Sequence, residues 1–248
     1  MVRKTETGLL LSVVFLLFAC SSAIADTPVF NSKDGKWYGS INAGVMLLGD
    51  IDFGANLNYG GVLTVNVAGE KSFETGPSIG GAIGYILNNH VRAEFELGYT
   101  EMDHDKAKAD AAWTFTSGGT TLSGAAGLEV EVDGEVEALY GLANVILTPL
   151  GSQFFEGTKL TPLVGGGIGF VDWDEEIKSI SSAGTTLTVN AKESDTDFLT
   201  VVMLGLEYDY SENMSLAIKF RHLWAYTGKN GVEDADGDNI LGSLRFKF

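Results

Sequence analysis

The stretch that decides the fold is Met214-Ser-Leu-Ala-Ile-Lys-Phe-Arg-His-Leu-Trp-Ala-Tyr226. Its residues alternate between two faces. One face is apolar and aromatic and contains Met214, Leu216, Ile218, Phe220, His222, Trp224 and Tyr226. The other is mostly small or charged and contains Ser215, Ala217, Lys219, Arg221 and Leu223. An alternation with period two predicts a β-strand, because a helix would repeat every ~3.6 residues.

Seven other segments repeat this division, and glycine-rich stretches separate them. In one of them Arg92, Glu94 and Glu96 alternate with apolar residues, and in the last Arg245 and Lys247 alternate with phenylalanines. We therefore predict eight strands, at residues 37–48, 73–86, 91–102, 135–148, 160–173, 198–210, 214–226 and 239–248. Eight is the smallest common number of strands for a closed barrel.

The composition excludes several classes of protein. The chain has 248 residues, of which 45% are hydrophobic, so it can bury a core and is not disordered as a whole. Its formal charge of -17 and pI of about 4.4 exclude a nucleic-acid-binding protein, which needs a basic surface. One cysteine and three scattered histidines cannot make an internal disulfide or a structural zinc site, and we predict no cofactor and no metal.

The first 25 residues have the order of a secretory signal peptide. Arg3 and Lys4 precede an apolar run at 9–19, and Ala23-Ile24-Ala25 is suited to cleavage. A lipobox-like stretch ending at Cys20 leaves lipidation open as an alternative. We predict Sec-type export, a short periplasmic stub at 26–36 and a barrel domain at 37–248.

Alternation alone fits both a soluble barrel with an apolar interior and a membrane barrel with an apolar exterior. The spacing of the segments favours the membrane barrel. Short connections at 87–90, 149–159 and 211–213 alternate with long ones at 49–72, 103–134, 174–197 and 227–238. Outer-membrane barrels have this arrangement, with short periplasmic turns and longer extracellular loops.

Aromatic residues and mid-strand charges favour the same choice. Aromatic belts at two membrane interfaces are predicted from Trp37, Tyr85, Tyr99, Trp173, Tyr208, Tyr210, Trp224 and Tyr226. A charge network inside a narrow bore is predicted from Arg92, Glu94, Glu96, Lys219, Arg221 and Arg245. Gly165, Gly167 and Gly169 share one face, as expected where a small bore leaves little room.

Three motifs resemble the eight-stranded outer-membrane β-barrels of Gram-negative bacteria, of the OmpX, OmpA-transmembrane and opacity type. The first is Lys159-Leu-Thr-Pro-Leu-Val-Gly-Gly-Gly-Ile-Gly-Phe170, and the second runs from Leu204 through a short turn to Arg221. The third is the aromatic C-terminus, in which Phe246 and Phe248 resemble the signal that the barrel-assembly machinery reads.

The resemblance implies an up-and-down barrel, monomeric in the outer membrane, that displays acidic loops. Adhesion to a host or matrix partner, or a role as surface antigen, is the expected function, without catalysis. The alternative is a narrow channel for small solutes, as in OmpW-like relatives. A bore lined by ion pairs is expected to plug itself, which argues against that alternative.

The three histidines are the candidate catalytic residues. His222 is placed near the long-loop rim, but Trp224 stands where the deacylase pattern of some outer-membrane barrels has a serine. His104 lies between two aspartates in what the spacing predicts to be a solvated loop, and His90 lies in a short turn. These surroundings predict no catalytic site.

The long loops contain two more patterns. Asp234, Asp236 and Asp238 resemble a calcium loop, but the glycine is misplaced and Arg245 occupies the twelfth position, so a solubilising rim is favoured. Leu-Thr-Val-Asn occurs at 63–66 and again at 187–190 among β-branched residues. This pattern predicts strands that continue above the membrane and present an edge for a partner strand, or loops that are merely stiffened.

Overall fold

The computed structural model describes residues 36–59, 62–117, 120–148, 159–182, 185–226 and 234–248. The predicted signal peptide, Cys20 and nearly all of the predicted stub lie outside these residues. In the part described, no helix has the length and apolarity needed to cross a bilayer. The described residues form ten strands: β1 (Lys36–Leu48), β2 (Ile51–Tyr59), β3 (Leu63–Phe73), β4 (Gly76–Ile86), β5 (Val91–Ser117), β6 (Thr120–Leu147), β7 (Leu160–Ser182), β8 (Thr185–Asp209), β9 (Met214–Tyr226) and β10 (Ala235–Lys247).

Eight of these strands close into the predicted barrel. The ring runs β1-β4-β5-β6-β7-β8-β9-β10, and β10 pairs with β1 from Tyr38↔Lys247 to Leu48↔Gly237. Each strand of the ring pairs with its two neighbours, and all of these pairs are antiparallel. The up-and-down, eight-stranded antiparallel barrel is therefore confirmed. Closure gives each strand two partners, which is what a sheet needs where no water can pair with its backbone.

The outer face of the ring carries exposed apolar side chains. Ile218 is 57% exposed, while Arg221, three residues later on the opposite face, is fully buried. Large apolar residues are exposed on every strand of the ring, including Ile41, Ile79, Phe95, Leu139, Ile168, Leu204, Ile218 and Ile240. A soluble barrel would have the reverse orientation, so this wall is built to face lipid.

Four strands of the ring, β5 to β8, continue beyond one rim, and β2 and β3 join them there in the same sheet. The β5–β6 hairpin extends to Ser117↔Thr120, and the β7–β8 hairpin extends to Ser182↔Thr185. The hairpin of β2 and β3 joins them, because β3 pairs with β5 from Phe73↔His104 to Leu63↔Phe115. The prediction that strands continue above the barrel is thus confirmed, and β2-β3-β5-β6-β7-β8 form one curved wall there.

Several predicted boundaries differ from the structure, because β5, β6, β7 and β8 extend through most of the long connections predicted at 103–134 and 174–197. The strand predicted at 73–86 is interrupted at Glu74 and Thr75, so Phe73 belongs to β3. The last strand begins at Ala235 and not at Asn239, because its first residues pair with the upper part of β9. Register shifts at Asp103/Lys106, Asp133/Gly134 and Ile177/Ser179 accompany the passage of β5, β6 and β7 from the barrel into the upper wall. Such bulges bend a strand without ending its pairing.

The predicted glycine face lines a very tight part of the bore. A Cβ atom on Gly167 would lie 2.0 Å from Asn144 Oδ1, and one on Gly169 would lie 1.8 Å from the carbonyl oxygen of Gly141. Both distances are far below van der Waals contact. Only glycine fits at these positions, because β6 and its inward side chains occupy the space of any Cβ.

The orientation of the wall makes a prediction about Ile218→Arg. Ile218 lies near the middle of the outer face of β9, where an arginine is expected to lower the free energy of unfolding by about 2–4 kcal/mol. Urea unfolding in phospholipid vesicles measures this loss. Met214→Arg, on the same face beside the short turn at 211–213, is the matched control with an expected loss of about 0–1 kcal/mol. Equal losses in the two variants would contradict a lipid-facing wall.

Candidate functional site: the filled bore and its mouth

Arg221 is the centre of the buried polar network in the bore. Its guanidinium lies 2.8 Å from Glu96 Oε1 and donates hydrogen bonds to Tyr140 Oη at 2.9 Å and to Asn239 Oδ1 at 3.2 Å. These four residues come from β9, β5, β6 and β10. The contacts therefore cross the bore and tie opposite walls together. A buried ion pair with further hydrogen bonds to its charged groups compensates for much of the cost of removing both charges from water.

A second group of charges surrounds Glu207 nearer the short-turn rim. Arg92 Nη1 lies 2.9 Å from one carboxylate oxygen of Glu207, and Arg245 donates to the other. Arg245 also donates to Ser215 Oγ at 3.0 Å. Sequence reasoning named both arginines and missed Glu207. The signal was available, because Glu207 alternates with apolar Leu206 and Tyr208 on β8.

Glu94 completes the charged network. Tyr38 Oη donates to Glu94 Oε2 at 3.0 Å, and Lys219 Nζ lies 3.7 Å from Glu94 Oε1. Tyr38 is fully buried and was also missed, since its phenol stands among aromatic residues that resemble an interfacial belt. All six residues predicted for the network lie inside the bore, together with Glu207 and Tyr38.

Apolar side chains fill the rest of the bore. Leu163 and Ile146 are buried near the short-turn rim, while Val136, Val171 and Leu223 are buried near the other rim. They belong to one contiguous cluster whose remaining members are Met46, Met102, Ala138, Tyr140, Leu142, Leu199, Val201, Met203 and Ala225. Sequence reasoning predicted the charges but not this apolar part of the filling. Together the two sets leave a packed core in place of an open pore.

The predicted belt residues lie on the outer face, with one exception. Trp37 and Tyr85 form an edge-to-face pair with 5.1 Å between ring centroids at the short-turn rim, where Tyr208 and Tyr210 are exposed. Tyr99, Trp224 and Tyr226 point outward toward the other rim. Assigning Trp173 to this belt was wrong. On β7, Trp173 lies on the same face as buried Val171, two residues earlier, and it packs inward against the apolar cluster.

The two C-terminal phenylalanines face outward at the short-turn rim. Phe246 is 43% exposed and Phe248 is 76% exposed. The backbone N–H of Phe248 donates to the carbonyl oxygen of Trp37 at 3.0 Å, which anchors the last residue to β1. Their recognition by the assembly machinery stays a prediction.

His104 lies at the mouth of the bore and not in a solvated loop, so that expectation was wrong. The β5 strand runs through it, and its side chain is buried against Phe73, with 5.0 Å between ring centroids. His104 Nε2 lies 3.2 Å from Glu175 Oε1, and Lys71 Nζ donates to the same oxygen at 2.8 Å. The His104 imidazole and the Lys71 ammonium hold the pKa of Glu175 at about 2, against the opposing effect of burial.

His222 lies on the outer face near the same rim. Its Nδ1 is 2.7 Å from Asp238 Oδ1, its Nε2 is 3.7 Å from Asp236 Oδ2, and its ring stacks edge-on against Trp224. Both aspartates lie in β10, so this part of the calcium-like sequence has the geometry of a strand. His90 lies in the turn at 87–90, where its Nδ1 is 3.1 Å from the Thr148 carbonyl oxygen.

Residues 11–248 match the family model of the outer membrane protein beta-barrel domain. The chain belongs to this family. It is an outer-membrane β-barrel, as its motifs predicted, and the bilayer surrounds its apolar wall. No curated relative matches the chain.

Several solved structures resemble this outer-membrane barrel at low identity. Neisserial surface protein A is 14% identical with a TM-score of 0.44, covering 87% of this chain and 100% of its own. OprG of Pseudomonas aeruginosa is 11% identical with a TM-score of 0.46, covering 89% and 99%. Ail, the attachment invasion locus protein of Yersinia pestis, solved with a heparin analogue, is 13% identical with a TM-score of 0.40, covering 85% and 99%.

The buried network makes a prediction about Glu96 and Arg221. Either single variant, Glu96→Gln or Arg221→Met, is expected to lower the free energy of unfolding by about 3–5 kcal/mol, because each leaves a buried charge without its partner. The double variant Glu96→Gln/Arg221→Met removes both charges and is expected to lose less than the sum of the two single losses. Urea unfolding in vesicles measures the coupling. Strictly additive losses would show that the two charges do not act as a pair.

Acid sensitivity is predicted at Glu175. Its folded-state pKa of about 2 lies below the usual 4.5, so its stabilisation is present above about pH 4.5 and is lost as the pH falls through about 2. We expect Glu175→Gln to lower the unfolding temperature near neutral pH and to match wild type near pH 2. Thermal unfolding in detergent across this range checks it. Glu74→Gln, at the nearby exposed β3–β4 connection, is the control and should not reproduce this difference.

Proposed function

We propose that this outer-membrane barrel is a non-enzymatic surface protein that binds an extracellular protein partner through the wall formed by β2, β3, β5, β6, β7 and β8 above the membrane. The observation that supports this most directly is the extent of that wall. The β5–β6 hairpin continues to Ser117↔Thr120, well beyond the last register pair of β4 with β5 at Ser78↔Thr100. An anchor alone does not need paired strands of this length outside the bilayer.

The wall ends in two edge strands, and these make it suitable for binding. Among the described residues, β2 pairs only with β3, and β8 above Phe198 pairs only with β7. The backbone of an edge strand offers donors and acceptors that an extended segment of another protein can satisfy. We infer that a partner, if captured this way, adds a strand to β2 or to the part of β8 between Thr185 and Asp197.

The filled bore favours display over transport. Arg221, Glu96 and Tyr140 cross its centre, and the apolar cluster occupies the level above them. A solute would have to displace buried ion pairs and packed side chains. The surroundings of His104 likewise favour binding over catalysis, since Phe73 and Glu175 enclose its imidazole.

We further propose that the protein reaches the outer membrane by Sec-type export, that the barrel-assembly machinery inserts it, and that it is a monomer. Support for the export route comes from the order of charge, apolar run and small residues in the first 25 positions. Support for the monomer comes from closure of the ring, which leaves the membrane-embedded strands no open edge to pair.

Replacing residues 51–72 with a short Gly-Ser turn tests the proposal. This change removes the β2–β3 hairpin and leaves the pairing of β1 with β4 intact, so the barrel should still insert. Bacteria displaying the wild-type protein are expected to bind immobilised extracellular-matrix proteins or cultured epithelial cells, and the hairpin variant is expected to bind less. A Gly-Ser insertion in the periplasmic turn at 211–213 is the control and should bind like wild type.

Two results would contradict the proposed function. One is binding by the hairpin variant that equals that of wild type. The other is steady conductance of the purified wild-type protein in planar bilayers that disappears in Arg221→Met, because this would make the bore a channel.

A further inference from the structure

We propose that the extracellular mouth of the barrel contains a binding pocket for a small organic cation with an apolar body, such as an arylalkyl ammonium ion. The pocket lies on top of the filled bore, inside the curve of the upper wall. This inference goes beyond the proposed capture of a protein partner and does not depend on it.

The floor of the pocket is apolar. Phe73, Val136 and Trp173 line it, together with Leu48 and Ala235. Val136 belongs to the buried apolar cluster, and Phe73 and Trp173 pack against that cluster. The pocket therefore ends on a packed surface, so a bound group would stay at the mouth and would not continue into the bore.

One side of the pocket is aromatic. Phe53 of β2 lines it, and the space beside Gly69 shows how closely the ring lies on β3, because a Cβ there would be 2.2 Å from Phe53 Cζ. The β2–β3 hairpin thus adds an aromatic ring to a pocket that Phe73 and Trp173 also line. Aromatic rings attract cations through their negative faces, in addition to the apolar contact they provide.

The opposite side is acidic. Glu193, Asp195 and Asp197 line the pocket from β8, and Glu175 lines it from β7. The lining contains one basic residue, Lys71, which Glu175 already binds at 2.8 Å. Glu175 remains ionised at neutral pH, so the formal charges of the lining sum to a strongly negative field. An anion would be repelled, and a neutral apolar molecule would gain nothing from this side.

The volume limits the size of the ligand. The cavity holds about 170 Å³, below the ~300–1,000 Å³ of sites for drug-sized molecules. One aromatic ring or a short alkyl chain with a single ammonium group fits this space. The apolar body would rest on Phe73 and Trp173, with the ammonium directed toward the carboxylates of β8.

Fluorescence of Trp173 provides a direct test. The chain has four tryptophans, so the variant Trp37→Phe/Trp113→Phe/Trp224→Phe leaves Trp173 as the only one. Titration of this protein in zwitterionic detergent with phenethylammonium is expected to give a saturable change. Raising the salt from about 0.05 M to about 0.5 M should weaken binding, because screening reduces the attraction. 2-Phenylethanol, which keeps the ring and lacks the charge, and methylammonium, which keeps the charge and lacks the ring, should both bind much more weakly.

Substitutions in the same single-tryptophan background locate the site. Glu193→Gln and Asp197→Asn are each expected to weaken phenethylammonium binding about threefold to tenfold, which is the effect of losing one partly screened charge. Phe53→Ala should weaken it by a similar factor without changing the charge. Glu212→Gln, an exposed carboxylate at the periplasmic turn, removes the same charge at the opposite rim and should have no effect. Heat-modifiable migration on gels checks that each variant is folded.

Three outcomes would overturn the proposal. The first is the absence of a saturable change at Trp173 in folded protein. The second is equal affinity for phenethylammonium and 2-phenylethanol, which would leave an apolar pocket without selectivity for cations. The third is a loss in Glu212→Gln as large as that in Glu193→Gln, which would mean that the overall negative charge, and not the pocket, attracts the ligand.

Discussion

The need to pair every backbone N–H and C=O group within the bilayer governs the rest of this structure. Eight strands closed into a ring meet that need, and closure divides each strand into a face toward lipid and a face toward a narrow bore. The lipid face has one requirement, apolarity, which Ile218, Leu204 and Phe95 illustrate. The inner face must fill a small space without voids and without unpaired charges. Its glycines, ion pairs and packed aliphatic residues are three solutions to that one packing problem.

We infer that the buried charges in the bore serve specificity more than stability. An apolar filling of the same shape would often be as stable or more so, because each buried ion loses its hydration. The Arg221 network joins β5, β6, β9 and β10, and Glu207 joins β5 and β10 through Arg92 and Arg245. A shift of one residue in the register of any of these strands would turn its charged residue into the lipid. We infer that the network penalises wrong registers strongly and so helps to select the observed one.

The part of the fold that depends on local sequence was predictable, and the part that depends on pairing between distant strands was not. Period-two alternation in each segment was enough to assign β9 and the outer faces, because contact with lipid requires nothing from other strands. The inward position of Glu207 could be predicted from the alternation in β8. Its pairing with Arg92 and Arg245 could not, since these residues meet only through the barrel register. Trp173 was misplaced for a related reason. An aromatic residue near a strand end is typical of a belt, but Trp173 lies on the inward face of β7 and packs on the apolar cluster below it. The continuation of β5 to β8 was indicated by β-branched residues, whereas the docking of β2 and β3 on β5 had no local signal beyond the repeated Leu-Thr-Val-Asn.

The constraint that closes the barrel ends where the strands leave the bilayer, and this explains why the binding features lie at one rim. Above the membrane, water can pair with the edge of β2 and the upper edge of β8, so the ring need not stay closed. Among the described residues, no strand joins these two edges across the side of β9, β10 and β1. On β8, Asp195 and Asp197 lie on the same inward face as Leu199 and Val201. Leu199 and Val201 are buried in the bore, whereas the two aspartates line the mouth pocket. The inward face of β8 is therefore apolar inside the barrel and acidic where the strand extends into water. An apolar floor next to a carboxylate side is the direct result of that change, and it arises without any departure from the alternation of the strand.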